Sequence, residues 1–226
     1  SGRRKTGCLG VFRIDFGRAS GQRCADTCHK GERAMSTSRR EAMLAATGAL
    51  LLPAVAWGAS AKPAGAQLAD LEQASGGRLG VCAVDTRFGG VIGHRLDERF
   101  ALCSTFKLLL AAAVFEQSDQ RKLALDTVIP YSKSDIVPNS PTTGENLAKG
   151  GMTIRALAEA AQKVSDNAAA NLLTKHLGGP AALTRFCRRH GDSITTIERY
   201  EPDINEFTAG NPRDTTSPYV MACLVE

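Results

Sequence analysis

Apolar residues are densest at 106–115, which reads Phe-Lys-Leu-Leu-Leu-Ala-Ala-Ala-Val-Phe without a Pro or Gly. The run is longer than an ordinary strand and apolar all round, so it predicts a buried helix. Ser104 stands just before it, where a helix N-cap would fall and where the helix dipole is positive. Alternating segments at 79–85 and 91–95, joined through Phe88-Gly89-Gly90, predict a hairpin. A helix precedes it at 66–74. After 125–137, which is irregular and carries Pro130, helical spacing returns at 152–163, with apolar Ile154, Leu157, Ala158 and Ala161. Further helices follow at 168–177, stopped by Gly178-Gly179-Pro180, and at 181–190, stopped by Gly191. Residues 198–214 are a polar loop, and Pro218 opens a last helix. A hairpin, a long buried helix and then only helices make an α+β arrangement with the helices segregated.

The earlier part of the chain has a different character. Residues 1–34 show no convincing period, and Cys24 with Cys28-His29 is too small a group for a four-ligand metal site. From Met35, the basic Ser38-Arg39-Arg40 leads into an apolar run to Trp57, followed by Ala59-Ser60-Ala61 and Ala64-Gly65-Ala66. That order predicts a secretory signal over 35–61, with cleavage extending as far as 66, and a periplasmic product. The paired Arg resembles a twin-arginine signal, although Ala42 replaces the preferred Phe. The run is short and holds Gly48 and Pro53, which favours cleavage over a membrane anchor. The net charge of +5 is concentrated here: residues 1–41 hold ten Lys/Arg and four Asp/Glu, and the remainder eighteen and nineteen. The remainder is therefore near neutral, which gives no argument for nucleic acid. It holds Cys82, Cys103, Cys187 and Cys223, whose spacing does not pair them.

Three short segments carry candidate chemistry. Lys107 lies one helical turn after Ser104, so the two share a face, and a partly desolvated amine can take a hydroxyl proton. Taken alone, the pair also fits a capping Ser and a Lys that reaches out of the core. Ser165-Asp166-Asn167 falls between two helices, where turn and cap residues are ordinary. Glu201-Pro202-Asp203-Ile204-Asn205 lies in a loop flanked by Arg199 and Asp214, opposite charges able to close its neck.

In this order and approximate spacing, the three segments resemble the class A serine β-lactamases. Flanking segments add to the likeness, among them Glu98-Arg99-Phe100, Met152-Thr153-Ile154-Arg155 and Arg213-Asp214-Thr215-Thr216, and it runs from about residue 68 onward. The resemblance implies the serine β-lactamase and penicillin-binding-protein fold: a helical domain beside an antiparallel sheet with flanking helices. It casts Ser104 as the nucleophile, Lys107 as a proton-transfer group and Ser165 as the relay to the lactam nitrogen. Asn167 would bind the substrate's side-chain amide, while Glu201 as general base and Asn205 would hold the deacylating water. Whether Lys107 or Glu201 is the base in acylation stays open. Arg199 and Asp214 would clamp the loop, with a cis Glu201-Pro202 bond as in relatives. The implied partner is a small β-lactam, acted on by a monomer without cofactor or metal and with no stable membrane association.

The likeness is incomplete. A Lys-Thr-Gly motif expected further along a strand is absent, which marks residues 62–226 as a partial catalytic domain lacking the closing strands, the last helix and one oxyanion-hole donor. Pro138-Asn139 stands where many relatives carry an aromatic ring, and Cys103 occupies a position that in some carbapenem-hydrolysing relatives is disulfide-bonded. Two alternatives stand beside the hydrolase. One is a penicillin-binding D-alanyl-D-alanine peptidase or transpeptidase, against which Glu201 argues, and the other is an inactive truncated product.

Overall fold

The computed structural model describes residues 10–14 and 62–225. The expected signal segment, 35–61, and the Cys24 and Cys28-His29 group lie outside the described residues. The architecture is α+β, a helical body beside a small sheet.

Helix α1, Ala64–Ser75, starts after Pro63 and stops at Gly76, whose φ of 66° suits glycine at a helix end. Strands β2, Val81–Asp85, and β3, Val91–His94, form the expected hairpin, antiparallel with Val81 opposite His94. Its turn is closed by Asp85 N–H donating to Gly90 O (2.8 Å) and Gly89 N–H donating to Asp85 O (2.8 Å). The segment left without an element at 1–34 contributes strand β1, Gly10–Ile14, which pairs in parallel with β2, Gly10 opposite Val81. The three-stranded sheet is therefore mixed rather than antiparallel throughout. A parallel neighbour needs a connection of a dozen or more residues, and Ile14 and Val81 are separated in sequence by more than that.

The helical body is built around α2, Phe106–Asp119, which buries Phe106, Lys107, Leu109, Leu110, Ala111, Ala113 and Val114. Against it pack α4, Ile154–Lys163, α5, Asn167–His176, and α6, Pro180–Arg189. The expectation of a helix buried all round is corrected at one stripe. Leu108, Ala112 and Phe115, spaced four and three residues apart, face solvent. An apolar side chain on a helix is free to stay at the surface, so an unbroken apolar run does not reveal which stripe lacks a neighbour.

The stretch read as irregular is also corrected. Strand β5, Val128–Pro130, pairs with β6, Gly151–Thr153. Pro130 ends its strand, a position where a missing N–H is tolerated. Gly151 is required opposite it, because a Cβ there would meet Val128 Cγ1 at 2.8 Å and Ile129 O at 3.0 Å. Thr153 then caps α4 by accepting from Ala156 N–H (3.1 Å), and short helix α3, Pro141–Glu145, lies between the two strands in sequence.

Strand β4, Phe100–Ala101, pairs with β7, Thr215–Thr216, and Leu102 N–H donates to Asp214 O (2.9 Å). This pairing joins the approach to Ser104 to the end of the 198–214 loop. Helix α7, Pro218–Leu224, follows, with Ser217 accepting from Val220 N–H (3.4 Å). Cys82 and Cys187 are buried thiols, pushed up to about 11 and about 12 by burial. Among the described residues, no helix is long and apolar enough to cross a membrane.

Candidate active site

Ser104 sits in a turn of 3₁₀ helix, Cys103–Thr105, that runs directly into α2. Its hydroxyl does not cap that helix, contrary to the sequence expectation: Thr105 occupies the cap position, is itself helical, and no side chain caps there. The turn is closed instead by Thr105 N–H donating to Leu102 O (3.0 Å), and Ser104 remains exposed. Its hydroxyl oxygen therefore accepts from two other groups, Lys107 Nζ at 3.3 Å and Ser165 Oγ at 3.1 Å. A hydroxyl left uncommitted to the backbone is available to react.

Lys107 is 3 % exposed and lies among five oxygens. Nζ is 2.7 Å from Asn167 Oδ1, 2.9 Å from both Ser165 O and Ser165 Oγ, 3.0 Å from Glu201 Oε1 and 3.3 Å from Ser104 Oγ. An ammonium has three hydrogens, so it cannot serve all five at once. The Glu201 side chain is fully buried, which makes this a desolvated ion pair, stable only because both partners have further polar neighbours.

Ser165 has a φ of 56°, a left-handed conformation that turns its hydroxyl and its carbonyl both toward Lys107. Buried Asp166 holds that turn. Its Oδ1 accepts from Ala169 N–H and from Thr143 Oγ1 (2.9 Å each), and its Oδ2 accepts from Thr143 N–H (2.9 Å). Asn167 begins α5 and its carboxamide is engaged at both ends, Nδ2 donating to Pro138 O (2.9 Å) and Oδ1 accepting from Lys107. A ligand amide could join at Oδ1 only by sharing it with Lys107.

Glu201 is fixed through its backbone by Asn171. Glu201 N–H donates to Asn171 Oδ1, and Asn171 Nδ2 donates to Glu201 O, both at 2.9 Å. The Glu201-Pro202 peptide is cis. Oε2 accepts from Asn205 Nδ2 at 2.5 Å, while buried Oε1 faces Lys107 without a well-directed hydrogen bond. Asn205 belongs to a single 3₁₀ turn, Asp203–Asn205. The loop neck closes as its flanking charges suggested: Arg199 Nε donates to Asp214 Oδ2 (2.6 Å), and Asp214 Oδ1 accepts from the N–H groups of Glu198 and Arg199. Asp214 beside it holds the Arg199 guanidinium above its ordinary range. Arg199 also binds the carboxylate and the carbonyl of Glu206.

The structure thus brings Ser104, Lys107, Ser165, Asn167, Glu201 and Asn205 into one connected network, with Arg199 and Asp214 holding the loop that delivers two of them. Sequence reasoning missed Asn171 and the anchoring work of Asp166. Asn171 was findable, since it lies one helical turn after Asn167 and so on the same face.

A family model described as the β-lactamase enzyme family matches residues 63–226. The chain belongs to the class A β-lactamases. It is 45 % identical over 167 residues to β-lactamase L2 of Stenotrophomonas maltophilia, covering 74 % of this chain and 55 % of that protein. It is 50 % identical over 150 residues to the carbapenem-hydrolyzing β-lactamase KPC of Klebsiella oxytoca, covering 66 % and 51 %. Among solved structures, a class A β-lactamase of the last common ancestor of Gram-negative bacteria superposes with a TM-score of 0.71 at 52 % identity, covering 73 % of this chain and 62 % of that one. The class A chain thus spans between about half and two thirds of the length of these relatives.

Proposed function

We propose that this chain carries the acylating and deacylating groups of a serine β-lactamase that opens the cyclic amide of β-lactams through an ester on Ser104. The observation that carries the reading is Lys107 Nζ, within 3.3 Å of Ser104 Oγ, Ser165 Oγ and Glu201 Oε1 together. Ser104 Oγ attacks the lactam carbonyl carbon and gives its proton to the Lys107–Glu201 pair. As the C–N bond breaks, a proton returns through Ser165 Oγ to the departing nitrogen. In the second half, a water placed by Glu201 and Asn205 gives a proton to Glu201 and attacks the ester carbonyl. Ser104 leaves as the alcohol and regains its proton. Every group named in these steps comes from one chain, which supports a monomer; the second oxyanion-hole donor that the resemblance implies is not among them. The order of basic, apolar and small residues at 35–61 supports export to the periplasm.

The test separates the two halves. In the full reading frame encoding this chain, Ser104→Ala should abolish covalent labelling by a penicillin, read by mass spectrometry. Glu201→Ala should still acylate, giving a burst equal to the enzyme concentration, with later turnover reduced about 10²–10⁴-fold, the usual contribution of a general base. Turnover of Glu201→Ala at the parent rate would refute the assignment. A stable acyl-enzyme in the unsubstituted protein would support the peptidase reading instead.

A further inference from the structure

Residues 138 and 139 grip the Ser165 turn at three points. Asn167 Nδ2 donates to Pro138 O (2.9 Å), Asn167 N–H donates to Asn139 O (2.9 Å), and Asn139 Nδ2 donates to Ser165 O (3.2 Å). The first two bonds end on backbone carbonyls and would survive many substitutions at 139. The third depends on the carboxamide alone. It lands on the same carbonyl oxygen that accepts from Lys107 Nζ (2.9 Å), so this oxygen is held by two donors from different elements. Both residues joined by the bond have left-handed backbones, φ 61° at Asn139 and 56° at Ser165. Asn tolerates that conformation better than most side chains, whereas Ser adopts it less readily and needs support. The same backbone angles set the direction of the Ser165 carbonyl and of its Cα–Cβ bond, from which the hydroxyl is reached by a single rotation, χ1. Holding the carbonyl therefore restricts Ser165 Oγ to a few positions, and contacts with Lys107 Nζ (2.9 Å) and Ser104 Oγ (3.1 Å) select the one observed.

We propose that Asn139 is a positioning residue for acylation: its carboxamide, bonded to the Ser165 carbonyl, holds the Ser165 hydroxyl where it can pass a proton between Ser104 and the leaving nitrogen. The proposal rests on the reading of Ser165 as the proton relay. It assigns a role to an exposed rim residue that touches neither the nucleophile nor the deacylating pair. Deacylation uses Glu201 and Asn205 on a different loop, so the effect of Asn139 is confined to the first half-reaction.

Two substitutions in the full reading frame test it. Asn139→Asp keeps the size and the tolerance of positive φ but replaces the donor with a carboxylate, which cannot donate to a carbonyl. Asn139→Gly keeps the backbone conformation and removes the group. Single-turnover acylation by a penicillin should slow about tenfold or more in both, the scale of one lost hydrogen bond, with the deacylation rate unchanged. The amides of 165–167 should also exchange faster with solvent in both variants, while those of α4 do not. Acylation at the parent rate in both variants would overturn the proposal. So would equal slowing of both half-reactions in step with a lowered melting temperature, which marks a purely structural role. If the unsubstituted protein forms no acyl-enzyme, the functional reading above is what fails. The exchange comparison then decides the inference, and unchanged exchange at 165–167 overturns it.

Discussion

Helix α2 buries seven residues against its neighbours, whereas α1, nearly as long, buries none. The hairpin beside α1 is likewise open, with Phe88 78 % and Ile92 53 % exposed. What joins α1 to the hairpin is a set of charges centred on Glu72. Its carboxylate accepts from Arg95 Nε and Nη2 (2.7 and 2.9 Å) and from Leu79 N–H (2.8 Å), and lies 2.9 Å from His94 Nε2. Arg95 continues to Glu98, Glu98 to Arg78, and the Arg78 guanidinium lies 4.3 Å above the Phe100 ring. The helical body therefore depends on packing and the hairpin end on directed polar contacts. The first should respond to lost methylene groups and the second to protons.

The sharpest break is Leu157→Ala. Leu157 is fully buried between α4 and its neighbours, so the substitution should cost about 2–5 kcal/mol of unfolding free energy, read by urea denaturation. A loss below about 1 kcal/mol would mean that the site can collapse, and that the helical body is less tightly packed than its burial indicates.

Glu72→Gln probes the other end. Hydrogen bonds from Arg95, then His94 and Leu79 N–H, hold the Glu72 carboxyl well below the usual carboxylate range. A carboxyl whose folded value is depressed stabilises the fold above its unfolded value, about 4.3, and that stabilisation fades as pH falls below it. Unfolding midpoints of the parent should therefore fall more steeply from about pH 5 to pH 3 than those of Glu72→Gln, the variant lacking this titration. Parallel curves would show that the charge cluster does not stabilise the hairpin end.

The smallest effect is expected from Leu71→Ser, one position before Glu72 on α1. Leu71 is 60 % exposed, and stability should change by no more than about 0.5 kcal/mol. A loss on the scale of Leu157→Ala would show that apolar burial also holds α1 in place.

The sequence makes the elements and the candidate site side chains easier to read than their surroundings. The hairpin is legible because Gly89-Gly90 interrupts an alternating pattern, and the helices because their apolar spacing is regular. Ser104 and Lys107 are legible because a single helical turn places both on one face. The solvent-facing stripe at Leu108, Ala112 and Phe115 is not, since exposure is decided by which neighbours exist. Strand β5 is hidden by its three-residue length and its Pro, and is defined by a partner twenty-odd residues away, at Gly151–Thr153. The Ser104 hydroxyl looked like a cap because position suggests one. Only the 3₁₀ turn shows that the helix start is satisfied without it. Asn139 acts through a bond to a main-chain atom of a distant segment, which no local pattern announces, whereas Asn171 shares a helix face with Asn167 and is legible from that spacing.

With more oxygens around Lys107 than hydrogens to share, the bonding there is degenerate. Rotation about the Cε–Nζ bond exchanges one set of partners for another while every heavy atom stays where it is. A proton can arrive or depart and the network adjusts by swivelling hydrogens rather than by shifting the backbone. The reorganisation that accompanies charge movement is thereby kept small around Lys107 and Glu201, which are both buried.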